Sequence, residues 1–545
     1  MFGSFPSLAN LPSHAKVDPK DIPPPTPVIL PRYQPYAHEH QTLPPSETLA
    51  ALLEQTGRAA SALGPLGFSA IGLDLKLDAA VRDLVPDPTH IPDFPQWEKL
   101  TADEACEQDH VNRRWLRTSN LAPARQVYLE RKQELSNTNE DAFRTVRRIP
   151  PPRGKQQARL GNAYEFFRCL ELFTTYWDDP TQSADLPPSP ELSATELAAT
   201  EAVTAVTADT TDAVATQGPE GSKSGGPGDV AAPAVVRTCS GQSMPPEIRQ
   251  SLIAAFVKLV AYDFGCNVSM ARVEPRLHFK SAAGPRQRKT YTPSHCHFIF
   301  QSPMSREAAR TGIVYGPVAA VSTRPTVDFT LPSVETAQSL DLAREVTAAL
   351  ITAQHRAREG KIEKRFGEGQ WWTSKPRWGG GSGGPIGREM DRMAVPGDND
   401  TRPSDGEGLS APVTKRPRKT MSIYDNYRIV RPPSSSWDVK AKYEAIGKVE
   451  DASHDDVFVV SSLFHHVSVL RVRVPSRLLE VLDGSPESDP IRRSWGKVEA
   501  WRSPWYDLFD VEQRVAAMQL LWSVMAYQMR LESGSDDSSD ATADA

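Results

Sequence analysis

Two histidines flank a cysteine in the run His295-Cys296-His297, which has the composition of a β-strand. Residues i and i+2 of a strand face the same way, so both imidazoles share one face, and His278 in the preceding strand-like run adds a third nitrogen. Imidazole nitrogens are common zinc ligands. The pattern is typical of a metal site at His278, His295 and His297, or of a half-buried strand with histidines on its outer face. The second interpretation is favoured, because no Asp or Glu follows His297 within the next nine positions.

A second histidine pair, His465-His466, lies between two apolar runs. If the strand continues through the pair, one ring faces inward. That ring is either a hydrogen-bonded core histidine or a general base, since histidine titrates near neutral pH. The core interpretation is favoured, because no carboxylate or nucleophile lies nearby in the sequence.

The glycine tract 379–384 matches both GxGxxG and GxSxG. Each of these chemistries needs a strand that enters a turn and a helix that starts directly after it. Here the tract follows a Trp/Lys/Pro stretch and is followed by Pro385. The matches are therefore accidental, the chain contains no GxxxxGK[ST] motif, and no cofactor is expected. Whether the chain is an enzyme stays open, with the balance against catalysis.

Basic residues without an intervening acid occur in one predicted hairpin loop, at Lys280, Arg286, Arg288 and Lys289. Such a loop can contact phosphate groups, so nucleic acid is an alternative partner. Most other basic clusters, Arg113-Arg114 among them, are read as solvated helix faces.

Two further features lie in the stretch 366–420, which is rich in Gly, Pro and charged residues. Lys415, Arg416, Arg418 and Lys419 form a compact basic cluster that predicts recognition by a nuclear import receptor. Trp371, Trp372 and Trp378 are unusually dense aromatics for a linker. They predict docking onto the folded body or onto a partner protein.

Composition indicates that only part of the chain folds. Hydrophobic residues make up 39% of the 545 residues, below the roughly 45–50% of globular domains, and 48 residues are proline. The net charge of −6 is uneven, because acids concentrate in two low-complexity stretches, one of which is the C-terminal tail. Segments of that composition cannot bury enough apolar area to offset their chain entropy.

Helical and strand periodicities around these stretches predict an α+β fold. We expect a composite body of helices packed on a mainly antiparallel sheet, interrupted by long disordered segments. The predicted segments are a Pro-rich extended arm at 1–45, a helical region at 46–177, a disordered acidic low-complexity insertion at 178–239, an α+β core segment at 240–365, a Gly/Pro/Trp linker with the basic cluster at 366–420, a C-terminal α+β segment at 421–531 and an acidic disordered tail at 532–545.

Five scattered cysteines without a CxxC pair do not resemble a secreted disulfide framework. The first thirty residues lack the pattern of a signal peptide. The longest apolar stretch, 252–262, is about half the length of a membrane span and contains Lys258. We therefore expect a nuclear or cytoplasmic protein that is neither secreted nor inserted in a membrane.

No motif set points to a known family. The sequence favours a non-catalytic regulatory or scaffold protein that acts through protein–protein contacts in the nucleus or the cytoplasm, with partners of unknown identity. One alternative is a metal-dependent enzyme that uses a histidine cluster on a sheet. The other is a nucleic-acid-binding protein that uses the basic loop.

Overall fold

A computed structural model describes three main stretches of the chain, together with short pieces of its N-terminal region. The described residues are 18–22, 28–33, 48–49, 52, 65–118, 120–174, 244–269, 275–280, 289–294, 296–301, 313–324, 333–357, 359, 442–449, 452–487, 489 and 491–531. The insertion at 178–239, the linker at 366–420 and the tail at 532–545 lie outside them.

Eleven α-helices occur within the described residues. They are α1 (Pro65–Ile71), α2 (Val81–Leu84), α3 (Phe94–Trp97), α4 (Ala102–Asn112), α5 (Arg125–Leu135), α6 (Asn139–Val146), α7 (Tyr164–Phe173), α8 (Pro246–Ala261), α9 (Val334–Arg356), α10 (Ser476–Leu482) and α11 (Val511–Gln528). Side-chain caps fix several starts: Thr101 and Glu104 form a capping box on α4, and the Asp510 carboxylate accepts from the Gln513 amide at the start of α11.

The described strands are β1 (Leu73–Lys76), β2 (Asn267–Ser269), β3 (Arg276–Lys280), β4 (Lys289–Pro293), β5 (Cys296–Gln301), β6 (Ile313–Thr323), β7 (Lys442–Glu444), β8 (His454–Leu463), β9 (His466–Pro475), β10 (Val498–Arg502) and β11 (Tyr506–Asp507). Nine form one sheet in the order β1-β10-β9-β8-β6-β5-β2, with β11 beside β9 and β7 beside β6. The strands β3 and β4 form a separate hairpin.

The large sheet is mixed. The pairs β1–β10, β6–β7 and β6–β8 are parallel, whereas the other five pairs are antiparallel. The predicted α+β class is confirmed at this level: helices accompany a sheet in which most pairs, but not all, are antiparallel.

Helices cover both faces of the sheet, so its central strands are apolar on both sides. On β8, Phe458 and Val460 point into a core shared with helices α7, α8 and α11. The alternating residues Val457 and Val459 point into a second core, shared with α1, α9 and α10 and with the β3–β4 hairpin. This two-sided burial explains why β8 is apolar almost throughout its central part instead of alternating with polar residues.

Charged residues are also buried where α9 packs against the sheet, and they pair with one another. Glu345 on α9 forms ion pairs with Arg324 and Arg502, and Arg324 also pairs with Asp341. The Tyr33 hydroxyl donates to Asp341 at 2.5 Å. Tyr33 belongs to the predicted N-terminal arm, so this described part of the arm contacts the folded layers.

None of the helices among the described residues has the length and the apolar character needed to cross a bilayer.

Candidate metal centre

The candidate site begins at the tight turn that joins β8 to β9. Leu463 and His466 are paired across the hairpin, which leaves Phe464 and His465 as the two turn residues. Phe464 takes a positive φ of 51°, a conformation required by many two-residue hairpin turns. The turn therefore places two consecutive histidines at one end of the sheet.

The short strand β11 brings a carboxylate to the same place. Asp507 pairs with His466, and Tyr506 pairs with Val467, in an antiparallel register. The Leu508 amide also donates to the carbonyl oxygen of His465 at 3.0 Å. These backbone contacts fix β11 against the turn.

One nitrogen of each ring and one oxygen of Asp507 lie within 4.8 Å of one another. His465 Nε2 lies 3.6 Å from Asp507 Oδ1. Two atoms that bind one tetrahedral zinc ion at about 2.1 Å each lie about 3.4 Å apart. The pair is therefore already close to the separation that a shared ion requires.

His465 lies in an aromatic environment that excludes water. Its side chain is only 2% exposed, and the rings of Phe464 and Phe509 lie with centroids 5.2 Å from its own. Phe173, at the end of α7, lies at 6.4 Å. A polar group in such surroundings needs a partner, because leaving it unpaired costs on the order of 1–3 kcal/mol.

Both histidines nevertheless have a buried Nδ1 atom with no hydrogen-bond partner. The other nitrogen of His465, Nε2, lies 3.6 Å from Asp507 Oδ1, and the two imidazole rings lie 4.3 Å apart between centroids. The choice between a core histidine and a general base at this pair stays a prediction.

Burial favours the neutral imidazoles. It lowers the pKa of His465 well below the ordinary value, with a further contribution from His466, and it lowers the pKa of His466 to about 4. Neutral imidazole is the form that binds a metal ion. Burial has the opposite effect on Asp507, whose pKa it raises.

Backbone groups orient the carboxylate. The Phe509 amide donates to Asp507 Oδ1 at 2.8 Å, while the Asp507 amide donates to Gln513 Oε1 on α11 at 2.9 Å. Hydrogen bonds of this kind hold a ligand in place before the ion arrives. The site thus combines two neutral nitrogen ligands, one anionic oxygen ligand and fixed orientation.

Of the three histidines predicted to bind a metal ion, two are described by the structure, and they lie on different elements. His278 lies on the exposed side of the β3–β4 hairpin opposite Tyr291, whereas His297 lies on β5 of the large sheet. His295 lies outside the described residues, so the metal site predicted at these three histidines stays a prediction. Within the described part of the chain, the group of three potential ligands is the one at His465, His466 and Asp507.

Of the predicted basic loop, Lys280 forms an ion pair with Asp483 at 2.5 Å, and the backbone of Lys289 pairs with Lys280. Arg286 and Arg288 lie outside the described residues. The same is true of Lys415, Arg416, Arg418 and Lys419 and of Trp371, Trp372 and Trp378.

Sequence reasoning identified the histidine pair but not its carboxylate. Asp507 is distant along the chain, and it is brought close by the pairing of a two-residue strand that has no periodicity of its own. The usable signal was the pair of adjacent histidines between two long apolar strands, where a tight turn keeps both rings together.

Comparison with family models, with curated protein sequences and with solved structures found no match to this chain.

Proposed function

We propose that this chain is a metal-binding protein in which His465, His466 and Asp507 hold one divalent transition-metal ion. The observation that carries the proposal is the convergence of these three side chains within 4.8 Å, with His465 only 2% exposed.

The ligand types narrow the choice of ion. Imidazole suits zinc, copper, iron and nickel, whereas magnesium and calcium prefer sites built from oxygen atoms. One carboxylate and two neutral imidazoles carry a charge of −1, which offsets half of the charge of a divalent ion. Zinc accepts this mixture of ligands and is the first ion to test.

The test is the metal content and zinc affinity of the full chain. We expect about one equivalent of bound metal in the wild type. Asp507→Asn and His466→Ala should each weaken zinc binding by more than about 100-fold, because losing a residue that only orients a metal ligand already costs about 10–100-fold. His110→Ala, at an exposed position of α4, is the matched control and should bind as the wild type does. Unchanged affinity in both ligand variants would reject the site.

For the protein as a whole, we propose a non-catalytic regulatory or scaffold role through protein–protein contacts, with the ion as a structural link. The support is that the ligands come from two separate segments, so that an ion would join the β8–β9 turn to β11 and the start of α11. Strand pairing among segments 46–177, 240–365 and 421–531 supports a further proposal, that these segments act as one composite body.

A metal-dependent enzyme is the second candidate, and the ligand count favours it. Three protein ligands leave a fourth position for water, as in catalytic zinc sites, whereas structural sites usually have four protein ligands. Replacing the ion with cobalt(II) and adding azide separates the two roles. A visible spectrum that does not change supports the structural role, and a spectrum that shifts on azide addition supports an open coordination position.

We also propose nuclear import through Lys415, Arg416, Arg418 and Lys419. The support is the sequence pattern alone. A fluorescent fusion of the full chain should accumulate in nuclei and become cytoplasmic when Lys415 and Arg416 are changed to Ala. A fusion that is equally distributed with or without these residues would contradict this proposal.

A further inference from the structure

The N-terminal arm contacts the folded body through one deeply buried side chain. Tyr33 is 4% exposed, although it belongs to the segment 28–33, which forms neither helix nor strand. Burial alternates along the end of this segment: Pro31 and Tyr33 are buried, whereas Ile29, at 57%, and Arg32 are exposed. Alternate side chains of an extended segment point to opposite sides. The pattern is therefore that of an extended segment with Tyr33 directed inward.

Side chains, and not a backbone ladder, hold this segment. Within the part of the chain that the structure describes, residues 28–33 form no backbone–backbone hydrogen bond with another residue. Strands inside a sheet are held by a ladder of such bonds. A segment without a ladder depends on its buried side chains, and Tyr33 has the largest of them. Truncation of Tyr33 is therefore expected to release the segment, as the loss of a buried anchor residue does at protein interfaces.

Three charged side chains contact Tyr33. Its hydroxyl donates to Asp341 Oδ2 at 2.5 Å and accepts from Arg324 Nη2 at 3.4 Å. The guanidinium group of Arg502 lies 4.7 Å from the centroid of the Tyr33 ring, within the range of a cation–π contact. We call the site formed by Arg324, Asp341 and Arg502 the Tyr33 pocket.

These contacts recognise a phenol group, because its donor, its acceptor and its π face each have a partner. Burial raises the pKa of Tyr33 well above its ordinary value, and the charge of Asp341 raises it further, so the hydroxyl keeps its proton and remains a donor. Phenylalanine fills almost the same volume but offers Asp341 no hydrogen bond. A site built to bond a hydroxyl discriminates strongly against an analogue that lacks it. The Tyr33 pocket therefore selects tyrosine over phenylalanine.

The charges of the Tyr33 pocket are paired without the arm. Glu345 forms ion pairs with both Arg324 and Arg502, and Arg324 also pairs with Asp341. Two cations and two carboxylates therefore balance whether Tyr33 is present or absent. The loss of a buried ion-pair partner is costly because it leaves an unpaired charge. The departure of Tyr33 leaves none, so the pocket keeps its charge balance when the arm leaves.

The segment also passes from one face of the large sheet to the other. Val28 packs against the core that contains α7, α8 and α11, whereas Tyr33 belongs to the core that contains α9. Arg502 is the last residue of β10, and Arg324 directly follows β6. The crossing therefore lies at the end of the sheet where these two strands finish. Six residues thus join the two layers from outside, as a strap does.

We propose that the Tyr33 pocket is a binding site for a tyrosine on an extended peptide segment, and that the N-terminal arm occupies it as a detachable strap. The support is threefold: one side chain anchors the segment, the pocket contacts every part of the phenol, and its charges balance without the arm. A partner protein that offers a tyrosine on an extended segment has to displace the arm, so the strap controls access to this site. The proposal does not depend on the metal centre.

Limited trypsin digestion of the full chain tests the strap. Trypsin cleaves after Arg32, and mass spectrometry follows the fragments that begin at Tyr33. We expect this cut to be more than about tenfold slower than in a free peptide of sequence 28–35, because cleavage tracks the population of the open form. Tyr33→Phe should speed the cut by about 10- to 100-fold, the effect of losing a hydrogen bond to a charged group. Ile29→Ala, at an exposed position of the same segment, is the matched control and should leave the rate unchanged.

Far-UV circular dichroism of the cleaved protein separates a strap from a part of the core. We expect the spectrum of the intact protein to be retained after the cut at Arg32. Cleavage that proceeds only together with loss of this spectrum overturns the proposal, and so do equal cleavage rates in the wild type and in Tyr33→Phe.

Binding of a separate peptide tests the Tyr33 pocket itself. In the full-chain variant Tyr33→Ala no phenol fills the pocket, so a fluorescein-labelled peptide of sequence 28–35 should bind, as measured by anisotropy. The same peptide with Tyr33→Phe should bind about 10- to 100-fold more weakly. The wild-type chain should bind the peptide least, because its own arm competes at a high effective concentration. Equal binding of the two peptides, or no binding to a Tyr33→Ala variant that keeps the wild-type circular dichroism spectrum, rejects the site.

Discussion

One group of buried charges in this protein, around Glu345, consists of residues that neutralise one another. Glu345 is fully buried and lies between Arg324 and Arg502, and both arginines are almost fully buried as well. A paired set of this kind contributes little net stability compared with apolar residues of the same size. Removing one member, however, leaves an uncompensated charge in a medium that solvates it poorly.

Glu345→Gln is therefore expected to lower the free energy of unfolding by about 3–5 kcal/mol, the range for breaking a buried ion pair. Urea unfolding followed by far-UV circular dichroism measures the change. The control is Glu480→Gln, since Glu480 is 58% exposed and pairs with Arg477 on the surface. Its change should stay within about 0.5 kcal/mol. Equal effects of the two substitutions would contradict the assigned role of Glu345.

For individual residues, the sequence identified candidate side chains better than it identified the side chains that they contact. The sequence singled out the pair His465-His466 and predicted that one of the two rings faces inward. In the structure, the side chain of His465 is 2% exposed. The carboxylate opposite them was not predicted, because β11 is held by pairing with β9 and leaves no local pattern. The same holds for Glu345 and Arg324. Nothing near either residue in the sequence identifies its buried partner, because only the fold brings the two side chains together.

Helix α11 is joined to the end of helix α5 by one arginine. Arg514 is fully buried, and it donates to the carbonyl oxygens of Leu135, at 2.7 Å, and of Asn137, as well as to Asn139 Oδ1 at 2.5 Å. The last carbonyl groups of a helix have no partner within the helix, so a cation there satisfies both hydrogen bonding and the helix dipole.

Arg514→Lys keeps the charge but is expected to lower the free energy of unfolding by about 2–3 kcal/mol. A compact ammonium group cannot reach all the acceptors that the planar guanidinium spans. Chemical denaturation of the variant, compared with Arg492→Lys at an exposed position, measures this effect. A loss no larger than that of Arg492→Lys would show that the contacts of Arg514 do not stabilise the junction.

Elements with strong periodicity were predictable from the sequence. The strand-like run that contains His278 is β3, and the two apolar runs on either side of His465-His466 are the strands β8 and β9. The strands β1 and β7 were not expected. They are short, at four and three residues, and depend on neighbours supplied by other parts of the chain.

For the whole molecule, the arrangement with helices on both faces of a mixed sheet was only partly predictable. The apolar runs on either side of His465-His466 indicated strands. The parallel pairings of β6 with β8 and of β1 with β10 were not expected, because strand order depends on contacts between residues far apart in sequence.

At the same scale, the proposed ion should raise the stability of the fold. Free zinc at about a thousandfold above Kd adds about 4 kcal/mol by mass action, which corresponds to a rise in Tm of roughly 5 °C. Differential scanning calorimetry of the full chain with zinc and with EDTA measures this difference. Asp507→Asn should melt at the same temperature in both conditions. A zinc-dependent rise of equal size in Asp507→Asn would place the ion elsewhere.

The edge pairing of β1 has a consequence for how the protein is made. Within the described residues, Leu73–Lys76 pair only with Val498–Arg502, so this strand has no partner until synthesis has passed residue 502. At ribosomal rates of about 5–20 residues per second, the delay is on the order of tens of seconds. During that interval Leu73 and Leu75, both buried in the folded protein, lack the strand that pairs with theirs. The nascent chain can therefore complete this pairing only after residue 502 has been made, and Leu73–Lys76 stays without its β10 partner until then.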